Sequence, residues 1–481
     1  MEPWPFQEKV ISEARARVSV PSPEPGIIQA PTGSGKSEIM AWMAKAAVVK
    51  GKRVGLVVNR RVLVEDLCKR VSRSGLDYGV IMASDRRRAP WKSIQVASFD
   101  TLWRMKEMPK LDLVMIDECH FSLSEKFSEA IARLREQGST VIGFSATPML
   151  GTGEGLGSIY KWMVRTPDTP DLVKQGFLVP TRVFSPFRPN LKGVKMVGDD
   201  YNQKQVAEAV DRTVIIGDIL KHFRKNLLGR PTIGFGVNLE HCRHMTEIFL
   251  GAGIKAEYVD HTSTGLDMVW SRLANYETQV VFNVGICGYG WDVKPVSGMI
   301  EARPTASLPL WVQHAGRVKR IFAGKVDSVI NDHAGNCLQH GHPDEERDWP
   351  LDGKPRKARS ADDKPSLSVA MCKECYYTFR SGPDKCPACG HAMESKAREV
   401  EIAEGELQEI AAREKKAQAI DKWKAGLTVE QKAAQYAKWQ QKGRENNYNR
   451  WWAINTYRRV FGEEPPRVDP PVFRNGKEIL G

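Results

Sequence analysis

The 481-residue chain has no run of about 18 uncharged apolar residues, so a helical membrane-spanning protein is excluded. Its first residues, Met1-Glu2-Pro3-Trp4-Pro5, lack the basic start and apolar stretch of a secretory signal, and a cytoplasmic location is expected. Cysteine is sparse, with nine residues, five of them scattered (Cys68, Cys119, Cys242, Cys287 and Cys337), which argues against a disulfide framework. No short internal repeat and no nuclease constellation is readable. Acidic residues are in deficit: 58 Asp and Glu against 71 Lys and Arg leave a net charge of +13. That balance points to an anionic partner, nucleic acid first among them. Disorder of the whole chain is excluded by its 41% hydrophobic content. The length suggests two to four domains.

Short apolar runs alternate with helical patterns from the N-terminus to about Pro148. The strands expected are 26–30, 53–58, 93–97, 111–116 and 140–144, with helices such as Glu38–Lys50 and Phe127–Gln137 between them. After a Gly- and Pro-containing connector the alternation resumes with strands at 232–237, 279–283 and 327–330 and a helix over Leu239–Leu250. Near-continuous apolar strands separated by helices imply an α/β fold with parallel sheets covered on both faces. The expected divisions are a first lobe (1–165), a connector (166–180), a second lobe (181–343), a charged linker (344–368), a cysteine module (369–393) and a helical, basic and aromatic C-terminal region (394–481).

Ala30-Pro31-Thr32-Gly33-Ser34-Gly35-Lys36-Ser37 follows a strand and opens a helix, the context of a phosphate-binding loop. Its glycines let backbone N–H groups converge on phosphate oxygens at a helix N-terminus. Lys36 is placed to reach the β- and γ-phosphates of ATP, and the Ser37 hydroxyl to ligate Mg²⁺. The 111–116 strand ends in Asp117-Glu118-Cys119-His120. Asp117 opposite Ser37 can hold Mg²⁺ through water, and Glu118 can polarise the attacking water.

Asp117–His120 resembles the DExH box of superfamily 2 helicases, and further motifs of that superfamily follow in order. Phe6-Gln7 resembles the Q motif, which implies adenine recognition by Gln7, although Trp4 stands where the family has arginine. Val58–Leu63 resembles motif Ia and Val96–Leu102 motif Ib, which implies that Arg60, Arg61, Ser98 and Thr101 lie on a nucleic-acid path. Ser145-Ala146-Thr147 resembles motif III, which couples ATP state to strand grip; His120, Ser145 and Thr147 take the coupling role. Ile233–Asn238 resembles motif IV, with Asn238 on the nucleic-acid side. Gly288–Asp292 resembles motif V, with Gly290 and Asp292 at the nucleotide. Gln313–Arg320 resembles motif VI, which implies a catalytic set of Gln313, Arg317 and Arg320, the arginines acting as fingers. A planar cation entering from a second lobe stabilises charge on a transferring phosphoryl group.

Cys372-x-x-Cys375 and Cys386-x-x-Cys389 supply four thiolates at zinc-ribbon spacing, enough for a closed tetrahedral structural site. Zn²⁺ is the expected ion, with a cysteine-ligated iron site as the rival. His391 is a bystander. Tyr376, Tyr377, Phe379 and Arg380 either stack on bases or form the module's small core. The C-terminal region interleaves Lys and Arg with Trp and Tyr, reading as a small helical unit with a basic face toward DNA or a protein. His333 and His340 are expected to pack and hydrogen-bond rather than bind metal.

Within superfamily 2 the chain is similar to bacterial and phage-borne RadD-like helicases. The resemblance rests on Leu172–Pro180, on Asp332-His333-Ala334-Gly335-Asn336 with His340-Gly341, and on the four-cysteine module after the core. It implies two RecA-like lobes with ATP in the cleft, and an ATP-driven DNA translocase or helicase in repair or recombination. It also implies replication or repair proteins as partners, no membrane, and the cytoplasm of a bacterial cell or phage-infected host. The alternatives are the same core acting on RNA, translocation on duplex DNA without unwinding, and an ATP-gated nucleic-acid clamp or annealing factor.

Overall fold

The structure is a computed structural model. It describes the chain apart from residues 1, 60, 187–188, 190, 192, 199, 211–212, 286–292, 354–368, 394–426, 446–450, 462, 466–472, 475–476 and 479–481. Two compact units are present, Met1–Met393 and Glu394–Gly481.

The first lobe is built on a sheet of seven strands. These are β1 (Gly26–Gln29), β2 (Val54–Val58), β3 (Tyr78–Ile81), β4 (Ile94–Ser98), β5 (Leu113–Asp117), β6 (Thr140–Ser145) and β7 (Trp162–Arg165). Their spatial order is β3-β4-β2-β5-β6-β1-β7, every pair parallel. Central strands such as β2 (Val-Gly-Leu-Val-Val) are buried along their whole length, so both faces need apolar side chains. One face packs on Ile39, Met40, Val64 and Leu67, the other on Phe99, Leu102, Ile131 and Leu134. The five strands expected from the apolar runs are all present. The two edge strands, β3 and β7, were not expected; they are short and half-buried, so their apolar signal is weak.

The second lobe adds β8 (Thr181–Phe184), a small hairpin of β9 (Met196–Val197) and β10 (Asp200–Tyr201), then β11 (Thr232–Phe235), β12 (Ala256–Val259), β13 (Val280–Asn283), β14 (Gly298–Glu301) and β15 (Ser328–Asp332). The cysteine module contributes β16 (Val369–Met371) and β17 (Tyr377–Arg380). The order is β12-β13-β11-β14-β15-β8-β17-β16. The first six strands are parallel, while β17 pairs antiparallel with β8, and β16 with β17. The cysteine module therefore extends the sheet of the second lobe. Tyr377 packs at a tilt against Phe184 with ring centroids 5.4 Å apart, and the Tyr376 carbonyl accepts from the Ser185 N–H at 2.9 Å.

Part of the expected linker is packed instead of loose. Asp344 accepts from the Thr181 N–H at 2.8 Å and pairs with buried Lys319, which also donates to the Pro343 carbonyl at 2.9 Å. The chain then returns to the first lobe. Arg165 pairs with Asp348 at 3.2 Å and donates to the Trp349 carbonyl at 2.9 Å, and the Gly157 N–H donates to the Leu351 carbonyl at 2.8 Å. A β-bridge joins Glu154 to Gly353. Gly155 is required there, since a Cβ would lie 2.1 Å from the Gly353 nitrogen. Residues 344–353 thus strap the two lobes together.

In the C-terminal unit, helices Val429–Glu445 and Trp451–Phe461 enclose Tyr436, Ala453 and Tyr457, with Trp439, Ile454 and Phe461 against them. The side chain of Trp452 lies outside the described residues. No helix among the described residues is long and apolar enough to cross a membrane.

Candidate functional site

Three parallel strands of the first lobe end at the same level. Register pairs Gln29 of β1 with Ser145 of β6, and Asp117 of β5 with Phe144 of β6. The loop 30–35, the acidic pair 117–118 and the segment 145–147 consequently leave one edge of the sheet side by side. The helix Lys36–Val49 starts immediately after the loop, so its free N–H groups face the same space. Gly35 sits at φ +85°, a left-handed backbone that glycine adopts without strain.

Lys36 Nζ lies 2.8 Å from Glu118 Oε1, both side chains largely buried. Burial alone would raise the Glu118 carboxyl; Lys36 and His120 outweigh it and hold the group well below the usual carboxylate range. Asp117 shows the opposite balance. Burial pushes it up, Lys36 opposes, and the adjacent Glu118 charge adds to the rise. Glu118 itself has φ +50°, a conformation costing on the order of 1 kcal/mol for a non-glycine residue. His120 Nδ1 stands 3.4 Å from Glu118 Oε2 and 3.3 Å from Ser145 Oγ, and Ser145 Oγ accepts from the Thr147 N–H at 3.1 Å. His120, Ser145 and Thr147 therefore form one connected chain from the acidic pair.

The chain continues into the second lobe. Gln313 Nε2 faces Thr147 Oγ1 at 3.4 Å. Gly316 packs so closely on Thr32 that a Cβ would lie 2.4 Å from the threonine Cβ. Arg317 is buried, the stem of Arg320 lies beside Gly33, and the Arg320 backbone forms a β-bridge with Leu178. Arg320 thus stands at the phosphate loop, and Arg317 directly follows the glycine that packs on Thr32. Helix Leu308–Gly316, which precedes them, is anchored by His314: Nδ1 is 2.9 Å from Glu301 Oε2, and the ring stacks on Phe235 at 3.7 Å. Burial pushes the Glu301 carboxyl up and pulls the His314 imidazole down. No motif marks Glu301 in the sequence, because its partner His314 lies on a helix that follows the strand.

Gln7 accepts from the Trp4 N–H at 2.9 Å through Oε1 and donates to the Ser34 carbonyl at 3.0 Å through Nε2. A Cβ on Gly35 would lie 2.4 Å from that Nε2, so glycine leaves room for the amide. Trp4, where the family has arginine, packs its ring on Phe6 and Phe177 at 5.6 and 4.8 Å. The aromatic cluster ties the first helix to the connector helix Thr169–Lys174 through Leu172.

Other expected residues are placed differently. Ser98 is buried at the end of β4, and Thr101 Oγ1 accepts from the Ala83 N–H at 3.2 Å. Asn238 caps the helix Leu239–Gly251, accepting from the His241 N–H at 2.8 Å. Ser37 lies in the first turn of its helix. Gly290, Asp292 and Arg60 lie outside the described residues, as does the Arg61 side chain. Cys119 is fully buried and its thiol is pushed well up by burial, which removes it as a nucleophile. His340 Nε2 meets the Thr305 carbonyl at 2.8 Å, and His333 is buried beside His222 at 5.3 Å.

The four cysteine sulfurs lie within 4.8 Å of one another. Cys372 and Cys389 are 3.7 Å apart, Cys375 and Cys386 3.6 Å. The edge of a tetrahedron with metal–sulfur bonds of about 2.3 Å is about 3.8 Å. The set therefore fits Zn²⁺, and it leaves no open position for chemistry. Phe379 is buried against Cys372 and Cys386, and forms the small core of the module.

Comparison with known proteins agrees with this geometry. Residues 1–150 match the family model "Type III restriction enzyme, res subunit". A "51.5 kDa protein" of a Lactococcus phage is 26% identical over 410 residues, covering 83% of this chain and 85% of its own. The yeast "Putative ATP-dependent helicase IRC3" of Saccharomyces cerevisiae is 27% identical over 253 residues, 50% of this chain and only 37% of that protein. Among solved structures, a fragment of a putative HsdR subunit of a type I restriction enzyme from Vibrio vulnificus superposes with a TM-score of 0.55 at 20% identity, over 73% of this chain and 66% of that one. The type ISP restriction-modification enzyme LlaBIII, bound to DNA, superposes with a TM-score of 0.54 at 14% identity, over 69% of this chain and 28% of that one. The structural likenesses establish the two-lobed RecA-like fold. With the family match, the sequence relatives support an ATP-hydrolysing enzyme of the superfamily 2 helicase type.

Proposed function

We propose that the chain is an ATP-driven DNA translocase that separates strands, with ATP bound between the lobes. The observation that carries this reading is the meeting of two incomplete half-sites. Lys36, Asp117 and Glu118 come from one lobe, and Arg317 and Arg320 from the other, packed on the phosphate loop through Gly316 and Thr32.

The roles follow from the chemistry of each group. The N–H groups of 33–37 and Lys36 bind the phosphates, and this requires Lys36 to leave Glu118. Glu118, with His120 still beside it, then accepts the proton of the attacking water. Ser37 and Asp117 are the residues that would hold Mg²⁺, which supplies charge neutralisation on the phosphate oxygens. Arg317 and Arg320 stabilise charge on the transferring group, and Gln7 positions the adenine end through its tie to Ser34. Gln313–Thr147 and Ser145–His120 carry the nucleotide state between lobes. Arg60, Arg61, Ser98 and Thr101 are assigned to the strand path, Ser98 at the end of β4 and Thr101 on the helix after it, with Asn238 on the nucleic-acid side of the second lobe.

DNA as the substrate and a role in repair or recombination extend this reading beyond the catalytic core. They are favoured by the net charge of +13, by the RadD-like features 172–180 and 332–341, and by the four-cysteine module. The phage relative is in keeping with a phage-infected host. Strand displacement on forked DNA and forked RNA, with ATP and with a non-hydrolysable analogue, tests it. Displacement of DNA with ATP alone is expected. Displacement of RNA only, or DNA annealing without ATP hydrolysis, would overturn it.

A further inference from the structure

The segment between β3 and β4 leaves the sheet at the proposed strand path and runs back along its outer edge. Its start is tied to that path, because the Ala83 N–H donates to Thr101 Oγ1 at 3.2 Å. It then lies against the edge strand: the Val80 N–H donates to the Arg87 carbonyl at 3.0 Å, and Gln95 Nε2 donates to the Ala89 and Lys92 carbonyls at 2.9 and 2.8 Å. Arg53 fixes its far end, donating to the Pro90 carbonyl at 2.7 Å. The edge of the sheet is thereby covered, which removes an open strand edge.

Three arginines follow one another here, and they divide their work. Arg87 is the brace. It binds Asp85 Oδ1 at 3.0 Å through Nε and Glu65 Oε2 at 2.9 Å through Nη1, locking the turn to the helix Arg61–Arg73. Arg86 and Arg88 are exposed on either side of it, and among the described residues no ion pair holds either. Three residues on, Trp91 stands with 72% of its surface in solvent. An exposed tryptophan forgoes apolar burial, and the two exposed guanidinium groups have no acidic partner among the described residues. A tethered ribbon that keeps all three outward is built to receive something.

We propose that Arg86, Arg88 and Trp91 form an additional single-stranded DNA contact, an outer rail that continues the Thr101 path along the edge of the first lobe. Guanidinium groups pair with phosphates, and an exposed indole stacks on a base face that is available only in an unpaired strand. The bracing of Arg87 fixes the backbone that carries the two flanking arginines, so little backbone order has to be imposed on binding. This inference rests on the reading of the chain as a DNA motor and assigns it a contact outside the superfamily motifs.

The test is fluorescence anisotropy of labelled oligothymidylate with the full-length chain over a range of KCl concentrations. The variants are Arg86→Ala/Arg88→Ala and Trp91→Ala, with Arg15→Ala/Arg17→Ala, on the N-terminal helix, as a charge-matched control. Loss of two phosphate contacts should lower the slope of log affinity against log salt by about 1.4 and weaken binding about tenfold. Trp91→Ala should weaken binding about tenfold with an unchanged slope. ATP hydrolysis without DNA should stay at the wild-type level in all variants. Variants that bind as the wild type does, or a control that weakens as much as the double variant, overturn the rail while leaving the motor intact. A wild-type chain that does not bind oligothymidylate at all overturns both.

Discussion

Single residues carry definite costs in this site. Gly35 combines φ +85° with the Gln7 amide 2.4 Å from where a Cβ would lie. Gly35→Ala is expected to cost on the order of 1 kcal/mol of stability and to raise the KM for ATP several-fold, read by denaturant titration and steady-state kinetics. An unchanged KM would mean that Gln7 does not serve the nucleotide. His333 offers a pH test. Burial pulls its pKa down to about 3 from an ordinary 6.5. A base depressed by burial in the folded state contributes stability that is complete above 6.5 and declines as pH falls toward 3. Urea unfolding across that window should show a shallower acid decline for His333→Phe than for the wild type; parallel declines would exclude His333 as a source. The residues legible in the sequence were those whose chemistry is tied to fixed spacing, such as Lys36, Asp117, Glu118 and the four cysteines. Glu301, Asp344 and Trp4 were not legible as partners, because each acts through an element distant in the chain.

Elements show the same division. Strands buried on both faces, such as β2 and β6, announce themselves as continuous apolar runs. Edge strands β3 and β7 and the two-residue hairpin β9–β10 do not, since half-buried positions accept any side chain. The packed strap 344–353 was expected as a linker, because its charge and prolines describe a solvated segment, whereas its order comes from Lys319 and Arg165 elsewhere. The cysteine module was legible as a metal site but not as a strand donor. Its β17 pairs with β8, so if the module folds on a bound metal, that folding would feed the edge of the second lobe. Chelation of the metal, or Cys375→Ser, should lower the thermal midpoint of the lobe by several degrees, and metal analysis of the wild type should give one zinc per chain. A chelated protein that melts as the holoprotein does would make the module a passive appendage, and one iron in place of zinc would overturn the metal assignment.

At the scale of the molecule, neither lobe can hydrolyse ATP alone in this account. The phosphate loop and acidic pair belong to one sheet, the arginines to another, and their contact passes through Gly316, Thr32, Gln313 and Thr147. The strap gives the lobes a second, non-covalent tie besides the connector at 166–180, so motion between them is guided at two places. ATP hydrolysis by the purified chain, with and without single-stranded DNA, beside Lys36→Ala and Glu118→Gln, is the most direct measurement of the central claim. The account predicts hydrolysis strongly stimulated by DNA, with turnover reduced by at least about a hundredfold in both variants. Hydrolysis that is indifferent to DNA, or that survives Glu118→Gln, would contradict it.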